Sequence, residues 1–209
     1  MTDDSTPERT RATRILDIVT VVLLSITAVV TAWCGFEASK WGGEMSIAFS
    51  QASSARVQAA SAQSTAQAAR QYDLTIYTEW VLAEADGRQE LVQFIEQRFT
   101  PEFTVAFDAW IAEDRESQGP FVMEEYVPPG TREAEELNAR ADAKFDEALA
   151  NNQRGDDYSL LMVLFALVLF FAALSQHQSA VWRRRTFLAL SGVIALVGLV
   201  ILLTFPIKI

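Results

Sequence analysis

The sequence predicts an all-α membrane protein with three transmembrane helices, the first of which continues into a long alanine-rich helix of an acidic helical domain. Half of the residues are apolar, and they are most concentrated in three blocks, residues 15–36, 158–175 and 187–206. Each block is close to the ~20 residues that a helix needs to cross about 30 Å of hydrocarbon. A stripe of small residues joins the first block to the segment after it, and no segment shows the two-residue alternation of a strand.

The first block has one alternative interpretation, a cleaved signal peptide, because Arg9, Arg11 and Arg14 precede it. A transmembrane span is favoured, because the apolar stretch is longer than the apolar region of a signal peptide, which usually has about 7–15 residues, and because it continues through bulky Trp33. Cys34 is the only cysteine, so no disulfide forms within the chain and paired-thiol metal or redox chemistry is excluded.

Charge predicts the orientation of the spans. Arginines occur in the tail, residues 1–14, and as Arg183 to Arg185 in the turn, residues 176–186, so both segments are expected in the cytoplasm. Residues 37–157 hold ten basic and twenty-three acidic residues, a net charge of −13, and are expected outside, as are residues 207–209. The chain is therefore predicted to be a multi-pass membrane protein with its amino terminus in the cytoplasm and its large domain outside. Its acidic domain makes nucleic acid an unexpected partner.

One stripe runs from the first block into the acidic domain without a change of phase. Counted from Asp17 in alternating steps of three and four, it reaches Thr20, Leu24, Thr27, Thr31 and Cys34, which are polar or small except for Leu24. It then passes through seven alanines, Ala48, Ala52, Ala55, Ala59, Ala62, Ala66 and Ala69. Such a heptad pattern is typical of a coiled coil, and small residues let two helix backbones approach closely.

The segment from 44 to 85 is accordingly expected to form a helical stalk, on the order of 60 Å long at 1.5 Å per residue. A flexible linker is the alternative, since the segment is polar and low in complexity, but the constant phase of the alanines favours a helix. Gly42 and Gly43 are a candidate bend.

The rest of the acidic domain predicts shorter helices. Asp86 and Gly87 break the stalk, residues 88–99 form an amphipathic helix, and Thr100 with the proline after it begins another. That next helix is expected to bury four side chains, those of Phe103, Phe107, Trp110 and Ile111. Residues 117–130 predict a loop pinned by its aromatic residues, before Thr131 begins a helix that leads to the second span.

Several stretches resemble a widespread group of uncharacterised bacterial three-span membrane proteins. They are Thr31-Ala32-Trp33 with Ser39 to Glu44, Phe99 to Phe103 with Ala106 to Trp110, Pro120 to Met123 with Glu125-Tyr126, and Asp156-Asp157-Tyr158. The resemblance covers most of the chain. It implies a bacterial cell membrane and a helical extracytoplasmic domain, and it implies no activity and no catalytic residues.

The inventory of reactive side chains predicts no enzyme. His177 is the only histidine and lies in the turn beside the arginines, where a solvated residue is expected. The acid pairs Glu124-Glu125 and Asp156-Asp157 lack the spacing of a calcium loop and are expected to be surface charge. We therefore expect no catalytic residue, no cofactor and no metal site.

Two functions stay open. In the first, copies of the chain associate through the stripe into a homo-oligomer in the lipid bilayer, and the acidic domain binds or senses an extracytoplasmic protein. In the second, the polar stripe from Asp17 to Cys34 lines a cation-conducting pore, and the acidic domain concentrates cations at its mouth. Glu37 and Lys40 mark that mouth, while Trp33 and Trp41 are expected to be interfacial anchors.

Overall fold

The computed structural model describes residues 7–178 and 180–208, and the side chains from residue 14 onwards within them. These residues are helical or form turns and loops, without a strand. The helices are α1 Pro7–Ala85, α2 Gln89–Glu96, α3 Pro101–Ala112, α4 Thr131–Gln176 and α5 Val181–Leu202, with a 3-10 turn at Pro120–Val122.

Helices α1, α4 and α5 are each long and apolar enough to cross a membrane. The predicted fold class is confirmed: the chain is an all-α, membrane-spanning protein, and its first span is part of one continuous 79-residue helix. Gly42 and Gly43, the candidate bend, lie within α1 and do not interrupt it.

The described chain divides into two compact units, to which α1 and α4 both contribute. The membrane unit comprises residues up to Ala48 and from Asp146 onwards, and the acidic unit is Phe49–Phe145. The acidic unit is shorter at both ends than the predicted acidic domain, residues 37–157, because helix packing in the membrane unit continues past the apolar blocks. A methyl group added at Gly155 would lie 3.5 Å from the Ala38 carbonyl oxygen and 3.7 Å from the Trp41 side chain.

The core of the membrane unit joins side chains of its three long helices. Its buried members are Cys34, Trp41, Tyr158, Leu161, Phe165 and Val168, and Ile194 and Ala195 of α5 pack against them. Gly198 of α5 faces Phe165 so closely that a methyl group there would meet the ring at 3.0 Å. Glycine therefore lets α5 approach α4.

Helix α5 differs from the third predicted span at both ends. It begins at Val181, so the three arginines lie in its first turns, where long side chains can reach water from a helical backbone. It ends at Leu202 rather than at Pro206. A proline disfavours helical geometry in the residue before it, which explains the early end.

The core of the acidic unit is aromatic. Its buried members are Trp80, Ala83, Val92, Ile95, Phe103, Ala106, Phe107, Trp110 and Tyr126, and Phe99 and Phe121 pack against them. The expected buried face of α3 is confirmed for three side chains, but Ile111 is 37% exposed. Ile111 directly follows Trp110, and successive helical residues point about 100° apart.

Thr100 caps α3 as predicted. Its hydroxyl accepts a hydrogen bond from the Phe103 backbone N–H at 3.2 Å, and Pro101 occupies the first helical turn. The loop 117–130 is pinned as expected, because Phe121 stacks on Phe103 with ring centroids 5.0 Å apart.

Candidate functional site

Three of the five residues of the polar stripe in the first span are buried within one chain. Thr20, Thr27 and Cys34 are 0%, 3% and 0% exposed, and Thr31 is half-buried. The Thr20 hydroxyl donates to the Leu16 carbonyl oxygen at 2.7 Å, so this side chain satisfies its polar group on its own helix. Thr20, Thr27 and Cys34 therefore pack against other parts of the same chain.

Asp17, the charged member of that stripe, pairs with the guanidinium of Arg184. The Arg184 side chain is only 12% exposed, whereas that of Asp17 is 62% exposed. This ion pair joins α1 to the first turn of α5. The arrangement gives Asp17 a structural partner inside the chain, of the modest energy expected for a partly solvated pair.

The stalk alanines are covered in the same way. Ala48, Ala52, Ala55, Ala59 and Ala62 are each at most 7% exposed, while Ala66 and Ala69 are half-buried. In the acidic unit the covering helix is α4: the Phe49 and Phe145 rings meet at 5.4 Å, and Arg56 binds Asp142 at 2.5 Å. Within one chain, α4 therefore packs against α1 in the acidic unit.

Two residues expected at the membrane interface are instead part of the membrane-unit core. Glu37 is 0% exposed and Trp41 is 5% exposed. Two cations lie close to the Trp41 ring: the Arg154 guanidinium carbon is 4.7 Å and the Lys208 Nζ is 5.2 Å from its centroid. Trp33, the other expected anchor, is 39% exposed, and Lys40 is exposed.

Asp73 is a buried acid of the acidic unit that the sequence reasoning missed. One carboxylate oxygen accepts from the Thr100 hydroxyl at 2.7 Å and the other from the Tyr126 hydroxyl at 2.9 Å. Burial raises the pKa of Tyr126, and the hydrogen bond to Asp73 raises it further, so the phenol keeps the proton that it donates. Asp73 thereby ties α1 to the cap of α3 and to the loop.

The sequence holds a pattern that predicts the burial of Asp73. Continued past Ala69, the three–four count reaches Asp73, Ile76, Trp80 and Ala83, all of which are buried or half-buried. An acid in phase with a buried stripe predicts a buried, hydrogen-bonded carboxylate.

A groove with a volume of about 330 Å³ opens beside the aromatic core of the acidic unit. It is lined by Trp80, Glu96, Phe99, Thr104, Phe107, Asp108, Ile111 and Arg115. Trp80 Nε1 donates to Glu96 Oε1 at 2.9 Å, which fixes one carboxylate on the groove wall. Asp108 adds an exposed second carboxylate.

Arg115 places a guanidinium at the same groove. Its carbon lies 5.4 Å from the centroid of Trp80 and 5.3 Å from that of Trp110, and it pairs with Glu84 at 2.9 Å. Asp114 and Arg115 both have left-handed backbones, with φ of 57° and 61°. Such conformations are costly for residues with a side chain and persist only where surrounding contacts hold them.

The two acid pairs and His177 do not form a metal site with other side chains of the described residues. In the part of the chain that the structure describes, no three His, Cys, Asp or Glu side chains lie together as a metal site would need. Asp156 and Asp157 accept from Asn152 and Gln153 on their own helix at 3.1 and 3.2 Å. Glu124 and Glu125 line a separate surface groove, and His177 is exposed.

Together these observations define a multi-pass, all-α membrane protein with an aromatic and acidic groove in one unit. Comparison of the chain with protein-family models, curated proteins and solved structures finds no match. The resemblance to the three-span group therefore stays a prediction.

Proposed function

We propose that this chain is a non-enzymatic protein of the bacterial inner membrane whose acidic unit, outside the cytoplasm, binds a protein partner. The partner is expected to present a positively charged, partly apolar segment. The observation that carries the proposal is the groove beside Trp80, because it combines aromatic walls with the carboxylates of Glu96 and Asp108.

The groove suits a cation for two reasons. Aromatic rings attract cations through the negative faces of their π-systems, and Arg115 already places a guanidinium over two tryptophans at this site. The acidic unit also holds eight basic and seventeen acidic residues, a net charge of −9, which raises the local concentration and association rate of a cationic partner.

The covered stripe supports binding over conduction. A pore lined by the first span needs the polar face of that span to contact water, whereas Thr20 and Thr27 are buried against the chain's own helices. Association of copies through the stripe is likewise unnecessary to the proposal, since α4 occupies the contact in the acidic unit.

Reversing one charge in the groove tests the proposal. Asp108→Lys is expected to raise the Kd of a soluble, lysine-rich peptide bearing one phenylalanine about tenfold, equivalent to roughly 1.4 kcal/mol. The measurement is fluorescence anisotropy with the labelled peptide and the full chain in nanodiscs, at fixed ionic strength, with empty nanodiscs as the blank.

Glu136→Lys is the matched control, because it makes the same charge change at an exposed site of the acidic unit outside the groove. A purely long-range effect of net charge would weaken binding equally in both variants and would refute a specific groove site. A glutamate peptide of equal length should not bind wild-type protein.

Orientation is tested separately. In a Cys34→Ala chain, a cysteine at Glu116 is expected to react with a membrane-impermeant maleimide on intact cells, whereas one at Gln178 is expected to react only after lysis. The reason is the excess of arginine beside the turn that contains Gln178. Labelling at Gln178 alone on intact cells would reverse the orientation.

A further inference from the structure

The segment that follows α5 folds back over the end of the membrane unit. Phe205 packs edge-on against Tyr158 with ring centroids 5.3 Å apart, and the Tyr158 hydroxyl donates to the Pro206 carbonyl oxygen at 3.0 Å. Lys208 then reaches α1 twice: its backbone N–H donates to Glu37 Oε2 at 3.0 Å, and its Nζ pairs with Glu44 at 3.0 Å. We call Phe205–Lys208 the strap.

Two polar groups on α1 are buried in the same region and lack partners. Glu37 Oε1 and Trp41 Nε1 are buried, and neither has a hydrogen-bond partner among the described residues. They lie one helical turn apart, and Cys34, fully buried, lies one turn further along the same helix. The carboxylate is thus held by one backbone N–H, and its second oxygen remains an unused acceptor.

That arrangement favours a contact that can open. A buried carboxylate with an unpaired oxygen is costly, and contact with water or a cation would relieve the cost. The ion pair that holds Lys208 is itself solvent-accessible, with side chains 37% and 35% exposed, so it is only weakly stabilising. The closed strap leaves Glu37 Oε1 as an unused acceptor for a positively charged group.

We propose that the strap is a latch over a cation-binding site formed by Glu37 and Trp41. In the closed state, Lys208 holds the latch through Glu44 and the Trp41 ring. In the open state, Glu37 and the ring face accept a small organic cation that carries a primary ammonium group. That group combines the N–H donor that Lys208 gives to Glu37 with the positive charge that Lys208 Nζ places beside the Trp41 ring.

Cys34 is a built-in reporter for latch opening, because it is the chain's only cysteine and packs in the same core as Trp41, Tyr158 and Phe205. The measurement is the rate at which N-ethylmaleimide modifies Cys34 in the full chain in nanodiscs. Lys208→Gln and Tyr158→Phe should each accelerate modification about threefold, the change expected when one partly exposed ion pair or one hydrogen bond of a closed state is lost.

Lys40→Gln is the matched control, since it makes the same substitution on an exposed residue of α1 near Glu37. Its modification rate and thermal midpoint should match wild type. If both latch variants, shown by circular dichroism to keep wild-type helicity, modify Cys34 at the wild-type rate, the strap is not a latch. Acceleration in Lys40→Gln as well would overturn the proposal in favour of general loosening.

The cation site has its own test in the Lys208→Gln chain. Ethylammonium chloride should slow Cys34 modification relative to sodium chloride at equal concentration, because a cation at Glu37 blocks the approach to the thiol. Adding Glu37→Gln should abolish this protection. Equal rates in the two salts would overturn the cation site, and protection that survives Glu37→Gln would assign it elsewhere.

Discussion

Asp73→Ala is expected to lower the free energy of unfolding by about 4 kcal/mol, because two hydroxyl donors lose their acceptor in a buried site. The donors are those of Thr100 and Tyr126, so the cap of α3 and the loop are both released from α1. Urea unfolding of the full chain in detergent, followed by tryptophan fluorescence and circular dichroism, measures the loss.

Two variants separate this network from ordinary substitution effects. Tyr126→Phe keeps the ring packing but takes the donor from one buried oxygen of Asp73, so it should cost about 2 kcal/mol. Asp108→Ala changes an exposed carboxylate and should lie within about 0.5 kcal/mol of wild type. If Asp73→Ala proved as mild as Asp108→Ala, the carboxylate would not hold these elements together.

Gly130→Ala is expected to cost about 3 kcal/mol, because two penalties act at one position. Gly130 has φ +88°, a conformation that favours glycine, and a methyl group there would collide with the backbone carbonyl of Ala62 on the stalk. The same urea experiment measures the loss, and a backbone atom cannot rotate away as a flexible side chain would.

Gly87→Ala isolates the first penalty. Gly87 has φ +72° but nothing within 4 Å of the added methyl group, so its substitution should cost about 1–2 kcal/mol for the backbone strain alone. Gly192→Ala, in a helix and with open space around it, should be neutral or stabilising by roughly 0.5–1 kcal/mol. Equal losses at 130 and 87 would mean that no close approach to the stalk exists.

The sequence predicted the features that depend on neighbouring residues. The spans follow from apolar blocks, and the start of α3 follows from Thr100 and Pro101, because both signals lie within one helix or one turn. The stripe correctly required another helix against it. A heptad cannot say which chain supplies that helix, because the pattern on α1 is the same for a partner subunit and for α4.

The sequence of α4 carries a pattern that identifies it as the helix against the alanines of α1. Small residues recur there at every seventh position, at Ala134, Ala141, Ala148 and Gly155. Small residues on both α1 and α4 allow the backbones of these two antiparallel helices to approach closely. The groove could not be predicted in this way, since Trp80 and Asp108 are brought together only by the turns between α1, α2 and α3.

Glu37 and Trp41 were misplaced for a different reason. A glutamate and a tryptophan at the end of an apolar block ordinarily contact water and lipid headgroups. Here Tyr158 and the segment after α5 cover them, and these contacts join residues more than a hundred positions apart along the chain.

The alanine face of α1 has an entropic consequence. An alanine has no side-chain torsion whose freedom is lost on packing, whereas a leucine or methionine in its place would lose rotamers. The contact with α4 therefore orders little besides the two backbones. Its attraction comes from many short van der Waals contacts at close range more than from a large apolar area removed from water, so its strength depends on how closely the helices fit.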